Sequence, residues 1–393
     1  AARMADPIHD AWREAARRAG WPETSDANGA EGAGLGSAQF TIRSGRRSSA
    51  ANAYLKPAMQ RPNLALCTGA LATRVALRGG HATGVHFTDQ GLERYAEAAR
   101  EVILCGGVFN SPQLLMLSGI GPADHLREHG IAPLVDLPVG RNLRDHLAVA
   151  LRWRRNEPGP FHRQMRLDRV ALAMVRAWLL RDGPATTLPL GLIAFLKSEP
   201  GLEAPDLEFM VGAPPFEAKP WLPGRTPPFP DLMGIRPVLL HPRSHGTVTL
   251  RSADPAVPVR IANNFLSAPE DLATIRRGFL LARDLAHQPA LDRFRGQIVA
   301  PGPEVKTDAE IDAWIRATVI TVNHPLGTCA MGSGSNAVLE PDLKVRGIEG
   351  LRVVDASALP DMPSAHINAV VMMLAERASD LIRGRPTLAP ANV

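Results

Sequence analysis

Hydrophobic and polar positions change rhythm several times along the 393 residues, and each change marks an element. Helical spacing over 8–19 stops at Gly20. Residues 41–63 predict a strand, a basic turn and a short helix closed by Pro57. Short apolar runs at 64–67, 73–77, 84–87 and 101–105 follow, split by Gly, Asp and Gln, and predict sheet strands with hairpin-like links. The last run, apolar over 102–104, enters Gly106-Gly107, and a helix is predicted beyond it, with Asn110 or Ser111 as cap and Pro112 in its first turn. Helical, arginine-rich spacing recurs near 167–180, whereas 200–230 is dense in proline and predicts long ordered loops. Residues 241–255 predict a strand and turn, and 261–286 a strand end and a long amphipathic helix. Near the C-terminal end, 351–354 predicts a short strand leading into Asp355-Ala356-Ser357. From Asn368 the apolar series Val370, Val371, Leu374, Ala378 and Leu381 repeats at helical spacing as far as Gly384.

Two histidines lie within this last stretch. Pro325 forbids helix at the residue before it and holds His324 in an extended loop, while His366 stands just ahead of the predicted helix. A helix N-terminus presents unpaired N–H groups and partial positive charge, so the space beyond Asn368 suits an anion or a group that becomes one during reaction. Gly106-Gly107 at a strand end lets the backbone approach a ligand closely. GAGLGS at 32–37 is the nearest approach to a dinucleotide fingerprint, but no apolar strand precedes it and no helical pattern follows, so a flexible loop is expected there.

Composition narrows the function classes. With 45% hydrophobic and 21% charged residues the chain is ordinary globular protein, long enough for two domains. Its net charge of +5 comes from dispersed arginines rather than one long basic block, which argues against nucleic-acid binding. Cys67, Cys105 and Cys329 show no CxxC spacing, which argues against a disulfide framework or a zinc site and points to a reducing compartment. No apolar run is long enough to cross a bilayer and no signal-peptide layout is present. The expected location is cytoplasmic, with peripheral membrane association left open. A metal site built from His324, His366 and Asp355 lacks short ligand spacing and would leave Gly106-Gly107 unexplained.

HPLGTCAMG at 324–332, the strand ending in DAS, and PSAHIN running into a VMMLAE helix together resemble the C-terminal region of the glucose–methanol–choline (GMC) family of flavin-dependent oxidoreductases. CGGVFNSPQLLMLSGIGP at 105–122, TGALATRV at 68–75 and VGRNLRDH at 139–146 resemble further segments of it. The resemblance implies an α/β fold: an incomplete Rossmann-like FAD-binding lobe at 61–146 and 322–386, and a substrate lobe with an antiparallel sheet at 1–60 and 147–321. It implies FAD as cofactor, met by Val75, Gly106, Gly107, Asn110, Asp355, Ala356 and Asn368. The reaction implied is oxidation of a small alcohol at CH–OH to the aldehyde or ketone, with electrons passing to oxygen or a quinone-like acceptor. By resemblance His324 is the base and His366 its hydrogen-bonding partner; either suits proton transfer near neutral pH. His146 is read as a hydrogen-bonded structural histidine. Asn323 departs from the family pattern, which frequently has an aromatic residue there.

The resemblance covers the whole chain but only the later part of the family, whose GxGxxG turn and ribose-binding acid would lie upstream of Ala1. The competing expectation is therefore a non-enzymatic fragment or split half, colourless, aggregation-prone and inactive until that segment is supplied.

Overall fold

The structure, a computed structural model, describes residues 6–29, 32–189, 191–212, 217–386 and 388–389. It is a mixed α/β protein whose buried apolar residues fall into two main clusters. The first is built on an eight-stranded sheet in which every pairing is antiparallel. Its path runs Gly34–Ser37, Leu192–Leu196, Leu207–Val211, Leu232–Leu239, Leu147–Ala148, Ile320–Thr321; Leu151–Arg155 pairs further along Leu232–Leu239, and Arg295–Ala300 pairs with it in turn. Alternation explains the burial. Leu207, Phe209 and Val211 all lie in this core, beneath Ile275, Phe279 and Ala282 of the Pro269–Ala286 helix and Ile8, Trp12 and Ala15 of the Ile8–Arg18 helix. Helix Asp308–Thr318 joins them, started by a capping box between Thr307 and Glu310.

The second cluster surrounds a parallel pair, Val102–Leu104 with Leu351–Val353, covered by the Gly107–Leu117 and Ile367–Ile382 helices. Leu71–Arg78, His81–Asp89 and Leu92–Glu97 form an antiparallel meander beside it. Leu250 belongs to this core, and Val248 and Val259 pack with Val108 and Leu143 next to it.

Several expectations need correction. GAGLGS is neither phosphate turn nor flexible loop: Gly34–Ser37 is the edge strand of the large sheet, and Gly34, at positive φ, passes too close to the Pro22 carbonyl for any side chain, with Gly36 tightly packed against Thr24. Residues 64–67 form no strand and lie exposed, whereas the polar run Leu92–Glu97, unexpected as a strand, closes the meander with every residue exposed. Val102–Leu104 takes no hairpin link; its partner lies some 250 positions later. The following helix starts at Gly107 with Gly106 as cap, so neither Asn110 nor Ser111 caps it and Pro112 is interior. Pro112 cannot donate to the Val108 carbonyl, and that carbonyl accepts from Thr328 Oγ1 at 2.7 Å instead. The predicted strand, basic turn and helix over 41–63 are present as a 42–47 hairpin turning at Ser44-Gly45, both with positive φ, and helical turns over 51–58. The arginine-rich stretch is a helix over Leu167–Leu180.

Phe279 is fully buried between helix and sheet, with Trp314 at 5.5 Å between ring centroids. Phe279→Ala is expected to cost about 3–5 kcal/mol of unfolding free energy, a transfer loss plus a residual cavity, read as a lower denaturant midpoint. A loss under about 1 kcal/mol would mean that the helix does not pack as described.

Candidate active site

The carboxylate of Asp355 organises the ends of the parallel strands. One oxygen accepts from the Gly107 amide at 2.9 Å and from Ser111 Oγ at 2.5 Å; the other accepts from the Ser357 amide at 2.8 Å and Ser357 Oγ at 2.5 Å. Ser111 Oγ also receives the Gly106 amide at 2.9 Å. Gly106, Gly107, Asn110, Asp355 and Ala356 are thereby brought to one place, with Asp355 buried and Gly106 and Asn110 exposed. Gly107, at φ +79°, has open space where a side chain would stand. Asp355 is fully occupied within the protein, so it shapes this turn rather than offering its carboxylate to a ligand. Val75 lies elsewhere, bonded through its amide to Ser118 Oγ at the far end of the Gly107–Leu117 helix, about 16 Å away by helix length.

His324 sits on a loop fastened to the same strand end. The amides of Gly327, Cys329 and Met331 donate to the carbonyls of Ala356, Ser357 and Ala358, and Asp145 accepts from the His324 amide at 2.9 Å and from Thr321 Oγ1. Burial pushes the Asp145 carboxyl up to about 6. His324 and His366 stand 4.7 Å apart between ring centroids. His366 is the N-cap of the Ile367–Ile382 helix, yet its side chain does not cap it and no acidic residue occupies the first turn, so the terminal N–H groups keep their positive end. Asn368, exposed in that first turn, points its amide to Met372 Sδ at 3.7 Å.

Two further partners complete the pair: His146, expected only as a hydrogen-bonded structural histidine, and Glu208, for which the sequence reading assigned no role. His146, fully buried, places Nδ1 3.0 Å from Nδ1 of His324 and Nε2 3.2 Å from the Pro363 carbonyl. A carbonyl only accepts, so Nε2 of His146 carries the proton. Burial, and after it the neighbouring His324 charge, drives His146 down to about 3, so the ring is neutral and its Nδ1 is an acceptor. Nδ1 of His324 must then donate. Burial, then the charge of His366, lowers His324 to about 4; it too is neutral, and its bare nitrogen is Nε2. The second partner is Glu208, fully buried, whose Oε1 accepts from His366 Nε2 at 2.9 Å. That hydrogen bond raises the His366 pKa against the opposing effect of burial. A lone glutamate in the apolar strand LEFMV, which can be buried only if it is paired, was the available signal for it.

The arrangement offers a neutral imidazole with a free lone pair beside a second imidazole biased towards its cation. Next to them lie a glycine turn at parallel strand ends and an uncapped helix N-terminus, which together fit the electron-rich edge of a bound dinucleotide cofactor. A separate cleft of about 1040 Å³, lined by Gly140, Arg141, Asn142, His245, Gly332 and Asn336 among others, includes none of the paired histidines.

Comparison with known proteins places the chain in a family. Residues 2–148 and 242–375 match the N-terminal and C-terminal domains described as GMC oxidoreductase. The chain is 40% identical over 392 residues to the human mitochondrial choline dehydrogenase, covering 97% of this chain and 64% of that protein. It is 40% identical to the oxygen-dependent choline dehydrogenase of Brucella suis biovar 1, covering 98% and 70% respectively. The chain thus spans about two thirds of the length of these relatives. A formate oxidase variant of Aspergillus oryzae RIB40, solved for its effect on FAD modification, superposes with a TM-score of 0.86 at 28% identity, covering 97% of this chain and 70% of that one. Sequence and architecture agree: the chain belongs to the GMC oxidoreductase family, whose cofactor is FAD.

Proposed function

We propose that this chain carries the proton-handling half of a FAD-dependent oxidation of a small alcohol to its aldehyde or ketone, with His324 as base. The observation that carries the reading is the contrast between the two imidazoles, one held neutral with Nε2 bare, the other drawn towards its cation by Glu208. An alcohol loses hydride readily only once its hydroxyl proton has left, so a base must face that proton. Nε2 of His324 is the lone pair available. His366, with Glu208 on its Nε2, keeps Nδ1 for the alcohol oxygen and stabilises the negative charge that grows there. FAD, when bound, supplies the hydride acceptor. Gly106, Gly107 and Asn110, together with Ala356 and Asn368, are the groups proposed to meet it near the histidines, and Val75 the one proposed for its distant end. Because the Val75 amide is engaged by Ser118, its carbonyl is the atom proposed to make that contact. The choline dehydrogenase relatives make a small primary alcohol of choline type the first substrate to test.

In flavin-loaded protein, His324→Ala is expected to slow alcohol-dependent flavin reduction by at least about a hundredfold while flavin stays bound. Stopped-flow rates within threefold of the parent, about 0.6 kcal/mol of barrier, would remove His324 from the base role.

The tautomer is open to direct observation without turnover. Long-range proton–nitrogen NMR on labelled protein should show His324 with Nδ1 protonated and Nε2 bare, and His146→Phe, which deletes the acceptor, should release it to a mixture. A parent spectrum with Nε2 protonated would break the chain of donors.

The pH dependence follows from the two shifts. A base must be neutral, so kcat/KM of the loaded enzyme should hold down to about 4 and fall below it, as His324 takes up its proton. The cationic donor must keep its proton, so activity should fall on the alkaline side as pH passes a His366 pKa raised above 6.5. Glu208→Gln removes the cause of that rise, and its alkaline limb should move to lower pH. A profile that moved at neither limb would dissociate Glu208 from the reaction.

A further inference from the structure

The Leu167–Leu180 helix turns its apolar side outward. Val170, Ala173 and Ala177, at helical spacing, face the protein with small side chains. Leu172, Met174, Val175, Trp178, Leu179 and Leu180 are each between 53% and 74% exposed, a contiguous apolar surface of a kind that soluble proteins rarely leave open. At its C-terminal end the helix abuts the 42–47 hairpin so closely that a Cβ on Gly45 would collide with the Arg181 carbonyl. The hairpin contributes Arg43, Arg46 and Arg47, all exposed. Residues 163–182 add five further arginines and only two acids. Both acids are already paired, Asp168 with Arg166 at 2.5 Å and Asp182 with Arg176. This one surface therefore carries more positive charge than the chain's net +5.

We propose that this helix and hairpin dock on an anionic lipid surface. Apolar side chains at the crest, a tryptophan among them, and arginines along the flanks are what such a surface takes up: the former enter the boundary of the acyl region and the latter meet lipid phosphates. A second copy of the chain fits poorly, because a two-fold contact through this face would bring the same arginines against one another with no unpaired acid on the face to receive them. At 14 residues the helix is about 21 Å long, too short to span a bilayer core, and among the described residues no helix is long and apolar enough to do so. It lies on the membrane.

Flotation of the 393-residue chain with vesicles of phosphatidylcholine, alone or mixed with phosphatidylglycerol, tests this. Binding is expected only with the anionic lipid, weakening as ionic strength rises. The double variant Leu172→Glu, Leu179→Glu should lower the partition coefficient at least about tenfold. Arg43→Gln with Arg46→Gln and Arg47→Gln should do likewise and flatten the dependence on anionic lipid. Circular dichroism and size-exclusion profiles should match the parent in both cases. Equal binding to both vesicle types, binding unaffected by either set of substitutions, or no binding overturns the proposal. So does a parent that light scattering finds dimeric and the glutamate variant monomeric, which would assign the face to a second copy.

Discussion

The arrangement of the site depends on one buried carboxylate. Asp355 accepts four hydrogen bonds, one from the glycine turn that follows the Val102–Leu104 strand, one from Ser111 in the helix beyond that turn, and two from its own strand's continuation. A charge so deeply placed is tolerable only when its lone pairs are used, and here each is used by a group whose position matters. The turn is fixed against the parallel strand some 250 residues away, and the 356–358 backbone is fixed in turn. Because the amides of Gly327, Cys329 and Met331 hang from that backbone, the loop bearing His324 inherits its position. Loss of the carboxylate would leave the Gly107 amide and Ser111 hydroxyl unpaired and release two ligand-facing segments together.

Environment, not residue type, separates the three histidines. His146 and His324 share burial and one hydrogen bond, and both remain neutral through the physiological range. His366, within stacking distance of His324, moves the other way because Glu208 stands on its Nε2. Two equal imidazoles would compete for one proton. Unequal ones divide the work, which is how pairs of titratable groups in a single site come to hold different roles.

Much of this was legible in the sequence, for reasons that differ by element. Long periodic segments such as Leu167–Leu180 and Ile367–Ile382 announce themselves, and the glycines at 106–107 and the proline after His324 constrain backbone wherever they occur. Helix starts were less legible: Pro112 suggested a first turn, but Thr328 satisfies the carbonyl that the proline cannot, a long-range remedy invisible to local reading. Leu92–Glu97 has no buried side and pairs only because its neighbour's edge is free. Gly34–Ser37 misled in the opposite sense, its glycines serving close backbone approach inside a sheet rather than a phosphate turn or a loop. Pairings between distant residues, Glu208 with His366 and His146 with His324, lie 158 and 178 positions apart and follow from topology alone.

That topology has a consequence for how such a site can vary. Glu208 rises from the antiparallel sheet of one core, whose strand buries Leu207 and Phe209 on its other side, while His366 begins a helix of the second core. The 2.9 Å contact between them is therefore set by how the two cores meet, not by either alone. His324 is fastened on both sides: its loop hangs from the 356–358 backbone of the second core, while Ile320–Thr321 just before it pairs with Leu147–Ala148 at the far edge of the large sheet, next to Asp145 and His146. A change confined to the Leu207–Val211 strand can thus retune the donor by moving Glu208, whereas the base answers to the opposite edge of that sheet and to the 356–358 backbone. The proline-dense, weakly patterned stretch that precedes the Leu232–Leu239 strand lies on the tunable side of that division.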